Sequence, residues 1–451
     1  MLVAESPPVR RPDPALIVGL KVLIGLVASG LILLVVLTEL FGFTGFGSAL
    51  LPTFGLALLS TMAIRVGLWL AYRPVPTPPA DTLPTLTVIV PAYNEGPGVR
   101  RTIESVLASD YPRDRLRLIV VNDGSKDDTG LVLDRTLEAL RDQGEDRLTV
   151  LHLPTNQGKR AALYAGMTRA TTELVATVDS DSFVLADTLA NLVAPFVDPR
   201  VAGVAGKVLV ANREKNVLTR MLHVRYVLGF DFVRAYQSQL RSVWCCPGAL
   251  QAYRRAAIAP HLSRWNGQRF LGARCTNGDD HALTNLVLSL GFDTRYQASA
   301  AVYTIVPETY RRLSKMFLRW ARSATREGLL ALLFVPRRMA ELARRSRGPA
   351  RLASPLAMAL DALSQPIAVG LRFASLFFGA GLLFLHPLLL LKTLVASTLV
   401  ALPYAAVYLR SERSSDVLFG VLYGWFAVFA LFWIQPLAVV TVRKNGWMTR
   451  G

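Results

Sequence analysis

The sequence predicts an α/β domain, a doubly wound and mostly parallel sheet, embedded between transmembrane and interfacial helices. Three observations carry this reading. The chain of 451 residues is 52% hydrophobic with a mean hydropathy of +0.36, and its apolar residues crowd into the first 75 positions and the stretch after 352. Between them, residues 85–305 alternate short apolar runs with amphipathic segments. Several of those runs end on polar side chains, as in VATVDSDSFV at 175–184.

Residues 15–38 are long enough to cross a bilayer, with Lys21 near the start, where it can snorkel. A second apolar run at 47–71 argues against a cleaved signal peptide. Arg10 and Arg11 precede the first run, Arg65 and Arg73 flank the end of the second, and the connector has no Lys or Arg. The positive-inside rule therefore makes 1–75 a transmembrane hairpin with both ends cytoplasmic. The Pro-rich RPVPTPPADTLP (73–84) is a stiff link to a cytoplasmic domain over 76–310.

In that domain LTVIVPAYNE, RLIVVNDGS, RLTVLHL and LVATVDSD read as strands. GVRRTIESVLAS, GLVLDRTLEALRDQ and KRAALYAGMTRA read as the helices between them. This βαβ series argues for a parallel sheet, whose ligands sit beyond the carboxyl ends of the strands. Asn94, Asp123, Asp179 and Asp181 fall at such ends.

Next comes a basic helix, RRLSKMFLRWARSATR (311–326), with Arg312, Lys315, Arg319, Arg322 and Arg326 on one face and Leu313, Phe317, Trp320 and Ala324 beside them. Residues 311–351 hold twelve Lys/Arg against two Glu, so 311–365 reads as amphipathic helices at a membrane surface. Spans near 366–386 and 389–409 form a second hairpin over 366–410, and Arg410 and Arg413 return the chain to the cytoplasm. Over 411–451 we expect an interfacial or re-entrant helix interrupted at Pro436, then a basic cytoplasmic tail. The whole is a multi-pass protein of the plasma (inner) membrane.

Fifty Lys+Arg against thirty-two Asp+Glu give a net charge of +18. With no basic/aromatic binding module and no zinc-finger spacing, nucleic acid is excluded as a partner. Membrane lipids or a phosphorylated substrate account for the excess. Cys245, Cys246 and Cys275 are an odd set without paired spacing, which implies neither a disulfide framework nor a structural zinc and suits a reducing cytosol.

Side chains at i and i+2 of an extended segment point the same way, so Asp179 and Asp181 converge. Two hard carboxylates there suit Mg²⁺ or Mn²⁺; the blander reading is a cap on the next helix. Asp123, before a glycine, accepts from the imide of uracil or merely serves a turn. Gly158, Lys159 and Arg160 open a helix, where amides and two cations suit a diphosphate, or simply a solvated helix start. Asp279 and Asp280 follow a glycine at another helix start. One suffices for capping, and a second that stays ionised is a suitable general base.

Taken in order, PAYNE, NDGS, GKR, DSDS, GDDHALTN and RW resemble the motif series of family 2 processive glycosyltransferases, especially hyaluronan synthases and chitin-oligosaccharide synthases. The likeness covers about residues 85–335 and returns in the tail. It implies a GT-A-type catalytic domain using UDP-sugar donors and Mg²⁺ or Mn²⁺, with a nascent polysaccharide as acceptor. Asn94, Glu95, Asp123, Lys159, Arg160, Asp179 and Arg319 would then serve the donor, and Asp181 with Asp179 the metal. Asp280, beside Asp279, would deprotonate the acceptor hydroxyl for a single inverting displacement. Cys246, Gly248 and Arg254 would prime the acceptor, which Trp320 stacks against. Trp447, Thr449 and Arg450 match a loop that closes over UDP.

Two departures bear on the outcome. Met316 stands where the family has the glutamine of Gln-x-x-Arg-Trp, and Asn122 where hyaluronan synthases have an aspartate. The resemblance implies a polymerase that threads hyaluronan, or a chitin-like chain, through its own spans. A single transfer onto a lipid carrier is a second enzymatic reading, and a binding or transport component with a degenerate domain is a third. The sugar, the polymer length and the oligomeric state stay open.

Overall fold

The computed structural model describes residues 62, 64–345 and 388–444, with short helical stretches between 355 and 373. The expected spans at 15–38 and 366–386, most of that at 47–71, and Trp447, Thr449 and Arg450 lie outside the described residues.

Strands β1 (Leu86–Ala92), β2 (Leu116–Asn122), β3 (Leu148–His152) and β4 (Leu174–Val178) lie in the order β3-β2-β1-β4, all parallel. Helices α1 (Gly98–Leu107), α2 (Thr129–Asp142) and α3 (Lys159–Arg169) make the crossovers. Every residue of β1 and β4 is buried. Cover on both faces is what turns these strands into unbroken apolar runs.

The sheet continues with β5 (Ser182–Val184), β6 (Val201–Val210), β7 (Leu250–Arg254) and β10 (Asp293–Thr304), giving β3-β2-β1-β4-β7-β6-β10-β5. A separate ribbon pairs β8 (Arg269–Phe270) with β9 (Ala273–Arg274). Four of the seven pairings in the large sheet are parallel. β7 runs against both β4 and β6. Its beginning, not its end, therefore reaches the edge where the parallel strands finish.

Helix α4 (Val217–Val227) opens with a capping box between Asn216 and Thr219, and α5 (Asp279–Ser289) starts at the two aspartates. Helix α6 (Tyr310–Ala331) is capped by the Thr309 side chain, which accepts from the Arg312 N–H. Its periodicity matches the expected basic helix, but the basic face does not stay at a surface. Arg312 is exposed, whereas Arg322 and Arg326 are 6% and 1% exposed. The reason is that α6 packs within the protein. Arg322 Nε donates to Thr441 Oγ1 at 3.0 Å, and Arg326 Nη2 to the Asn277 carbonyl at 2.6 Å.

Helix α7 (Val335–Arg345) is fastened to the sheet by Asp293, whose fully buried carboxylate accepts from Arg338, from Arg345 Nη1 at 3.0 Å and from Arg241 Nη1 at 2.9 Å. Asp361 ties four further side chains together, accepting from Arg65 (3.0 Å), Tyr236 (2.6 Å), Gln237 (2.9 Å) and Trp244 (2.9 Å).

Helices α8 (Leu388–Glu412), α9 (Val417–Phe429) and α10 (Ile434–Val440) follow. Among the described residues no single helix is long and apolar enough to cross a membrane; α9 and α10, bent by 47°, pass that test only together. The interruption lies at 430–433 rather than at Pro436. Pro436 is the third residue of α10, in the first turn, where a backbone N–H has no helical partner to lose. The Ala430 carbonyl freed at the bend accepts from Tyr310 Oη at 2.7 Å and Trp433 Nε1 at 3.1 Å.

Candidate active site

A cavity of about 2250 Å³ opens beyond the carboxyl ends of β1, β2 and β4, as the parallel topology requires. Asp123, at the end of β2 and 2% exposed, accepts from the N–H groups of Gln157 and Gly158, both at 2.8 Å. Burial raises its pKa, and the two amides oppose the rise. Gly124 follows with φ +62°, and a Cβ there would stand 2.4 Å from the Thr155 carbonyl carbon, so only glycine lets the two loops meet.

Lys159, the first residue of α3, forms an ion pair with Asp179. Burial alone would lower the lysine's pKa, but the carboxylates of Asp179, Asp279 and Asp280 raise it, so the ammonium is held. Asp179 and Asp181 sit in the turn between β4 and β5 rather than on an extended strand, with Ser182 N–H donating to the Asp179 carbonyl at 3.0 Å. Both still line the cavity.

Gly248, just before β7, lies against this pair: a Cβ there would stand 2.8 Å from Lys159 Nζ and 3.8 Å from Asp179 Oδ1. On its other side the Gly248 N–H donates to Asp280 Oδ2 at 3.4 Å, while Asp280 Oδ1 accepts from the His281 N–H at 2.8 Å. Burial would raise the Asp280 pKa, but His281, Lys159 and these two N–H groups outweigh it and hold the carboxylate below its ordinary value. Asp279, 5% exposed, goes the other way, raised by burial, and its Oδ2 has no hydrogen-bond partner among the described residues. The two acids thus divide into an ionised one and one that resists ionisation. Arg319 and Trp320 of α6 reach the same cavity, with the Trp320 ring stacked on Phe317 at 5.6 Å.

A family model described as glycosyl transferase family 2 matches residues 87–261. An N-acetylglucosaminyltransferase of Rhizobium meliloti (strain 1021) is 33% identical over 381 residues, 84% of this chain and 84% of its own. The chain belongs to glycosyl transferase family 2. This glycosyltransferase is also similar to the hyaluronan synthase of Streptococcus pyogenes, 28% identical over 417 residues, 90% of this chain and 92% of that one. The mannosyltransferase PcManGT from Pyrobaculum calidifontis, solved with GDP-Man and Mn²⁺, is 22% identical with a TM-score of 0.47, covering 83% of this chain and 95% of that one.

Not every residue expected at the site of the glycosyltransferase is brought there. Arg160 turns away from the cavity and donates to the carbonyls of Trp265, Asn277 and Gly278, because its position on α3 faces the interior. Arg254 lies at the far end of β7, opposite Leu174 at the start of β4, and donates to the carbonyls of Val201 and Phe196. The reversed strand direction is the cause. Cys246 is fully buried, and its N–H donates to Thr284 Oγ1. Cys245 faces the cavity in its place, its thiol 3.7 Å from Asp280 Oδ2. Asn94 and Glu95 do not line the cavity. Asn94, at φ +52°, accepts from the Lys126 N–H, and Glu95 accepts from Ser180 Oγ, so they tie three strand-end loops together.

Among the described residues no group of three or more His, Cys, Asp or Glu side chains could hold a metal ion alone. Asp179 and Asp181 fit a hard ion that takes one or two carboxylates and completes its shell with phosphate oxygens and water. They do not fit a closed structural zinc site.

Gly248→Ala tests how tightly this edge is built. The added methyl would crowd Lys159 Nζ, the end of a flexible side chain that can swing away, so the cost falls on the Lys159–Asp179 contact rather than on the fold. The expected result is a drop in kcat/KM of about tenfold or more, with an almost unchanged melting temperature. A wild-type value would show that Lys159 need not stay where it is.

Proposed function

We propose that this glycosyltransferase is embedded in the plasma (inner) membrane, takes sugars from UDP donors on the cytoplasmic side, and adds them with inversion to a growing polysaccharide. The observation that carries this reading is the placement of Asp280, held by the Gly248 and His281 N–H groups, in one cavity with the Lys159–Asp179 pair and Trp320.

In this reading Asp123 uses carboxylate lone pairs not engaged by the two amides to receive the imide of uracil. Lys159 and Arg319 meet the diphosphate, and Trp320 stacks on the acceptor sugar. Asp280 takes the proton of the acceptor hydroxyl, whose oxygen bonds to the anomeric carbon from the side opposite the diphosphate. The carbon–oxygen bond to UDP breaks, and UDP leaves with the electron pair. Mg²⁺ or Mn²⁺, held by Asp181 and Asp179, would supply charge neutralisation for the departing diphosphate. The same cavity is lined by Ala401, Tyr404 and Ala405 of α8 and Gly420 and Tyr423 of α9, which supports an exit path for the product between helices.

The first reading of the product is a hyaluronan-like polymer from UDP-N-acetylglucosamine and UDP-glucuronate. The 33% identity to an N-acetylglucosaminyltransferase favours a second, a chitin-type chain from UDP-N-acetylglucosamine alone. The test is UDP release and product size from purified protein in lipid nanodiscs with Mg²⁺ or Mn²⁺, donors given singly and together. Long polymer only with both donors, degraded by hyaluronidase, supports the first reading. Polymer from one donor supports the second. A single transfer would show that Met316 has ended processivity, and no UDP release with either sugar would refute the proposal.

A further inference from the structure

The loop leading into Asp279 and Asp280 is gripped from behind by two buried arginines on different helices. Arg160 of α3 donates from Nη2 to the carbonyls of Asn277 and Gly278, both at 3.2 Å. Arg326 of α6 donates to the Asn277 carbonyl at 2.6 Å and to Asn277 Oδ1 at 3.2 Å. Glu327, 2% exposed, joins the two sides. It accepts from Arg326 Nε at 3.0 Å, from Asn285 of α5 at 3.1 Å, and from Gln268 at 3.1 Å. Gln268 Oε1 in turn accepts from Arg160 Nη1 at 2.7 Å. Neither arginine lines the cavity.

The fit against α6 is close. Gly278 has φ +69°, and a Cβ there would stand 1.8 Å from Ser323 Oγ. Burying two guanidiniums is expensive unless their donors are used; here one Nη of each goes to the backbone just ahead of the acid pair, and only Arg160 Nε has no partner among the described residues. Helix α6 also carries Trp320, so one rigid element meets both the aromatic surface and the loop that presents Asp280.

We propose that Arg160, Arg326 and Glu327 are positioning residues that fix the Asp280 carboxylate relative to Trp320. The inference rests on the reading of Asp280 as the base and adds what holds it in register. A guanidinium fork can grip two acceptors in a plane, which an ammonium cannot, so Arg326→Lys retains the charge but loosens the grip.

The experiment compares full-length wild type, Arg326→Lys and Glu327→Gln in nanodiscs. Both variants should lose kcat by about tenfold to a hundredfold, as expected of a base misplaced by an ångström or so. The KM for UDP-N-acetylglucosamine should stay within about twofold, since the donor contacts are untouched. Cys275, 2% exposed and next to the loop, should react faster with iodoacetamide in both variants, while Cys246 stays protected. Wild-type kcat in both variants, unchanged Cys275 labelling, or kcat and KM worsening together would overturn the inference and leave the transferase reading intact. A wild type that releases no UDP from any UDP-sugar would refute that reading, and this inference with it.

Discussion

Asp280→Asn is expected to lower kcat by about 10²–10⁴, the usual contribution of a positioned general base, while UDP binds with near wild-type affinity. The amide keeps the shape of the side chain, and its one oxygen can still accept from the His281 N–H at 2.8 Å, giving up the longer 3.4 Å contact with the Gly248 N–H. What it loses is the ability to take a proton. UDP release under saturating donor, with titration calorimetry for UDP, separates the two effects; retained turnover would remove Asp280 as the base. The pH profile gives a second check. Because the folded Asp280 pKa lies below that of an ordinary aspartate, the carboxylate is ionised throughout the range above pH 5. The rate should therefore not fall on its account between pH 7 and 5.

Asp293→Asn should act on stability. Its carboxylate is fully buried and serves Arg338, Arg345 and Arg241, of which Arg338 is itself 1% exposed. Removing that charge leaves the buried Arg338 with only Glu341, 3.2 Å from Nη1 and 23% exposed, as its counter-ion, so the cost lies toward the about 3–5 kcal/mol of breaking a buried pair. Burial would raise the Asp293 pKa, but the arginines prevail and lower it. Its stabilisation is thus complete above the unfolded value and is lost as pH falls through the lowered folded one. Denaturant midpoints of wild type and variant at pH 7 and near pH 3 would show a gap that narrows in acid. Equal midpoints at pH 7 would mean that the Arg338 bonds to Glu341 and to the Gly291 and Arg241 carbonyls hold α7 without this charge.

The alternation of β1 to β4 with α1 to α3 was legible because both faces of the parallel half are covered, so each strand is written as an apolar run. The cavity residues Asp123, Lys159, Asp179 and Asp280 were legible for a related reason, since strand ends and helix starts mark the ligand edge. Arg254 was misplaced because nothing in LQAYR reveals that β7 runs backwards. Cys245 and Cys246 are neighbours, and one residue of phase decides which meets the cavity and which the core. Arg326 and Arg322 share the spacing of Arg312 and Lys315, so periodicity alone read them as surface cations; only the packing of α6 against the Asn277 loop and α10 separates them. Asp293 and Asp361 gave no local sign, because each gathers partners from distant parts of the chain.

The continuity of α6 also sets a dimension. Trp320 and Arg326 are six residues apart on one unbroken helix, a separation of about 9 Å along the axis at ~1.5 Å per residue. That spacing is a gauge set by backbone geometry rather than by side-chain contacts. Inserting one residue between them would turn Trp320 by about 100° and advance it by about 1.5 Å. A substitution changes a side chain on this helix and leaves the calibration alone, whereas an insertion or deletion changes it only by whole, disruptive steps.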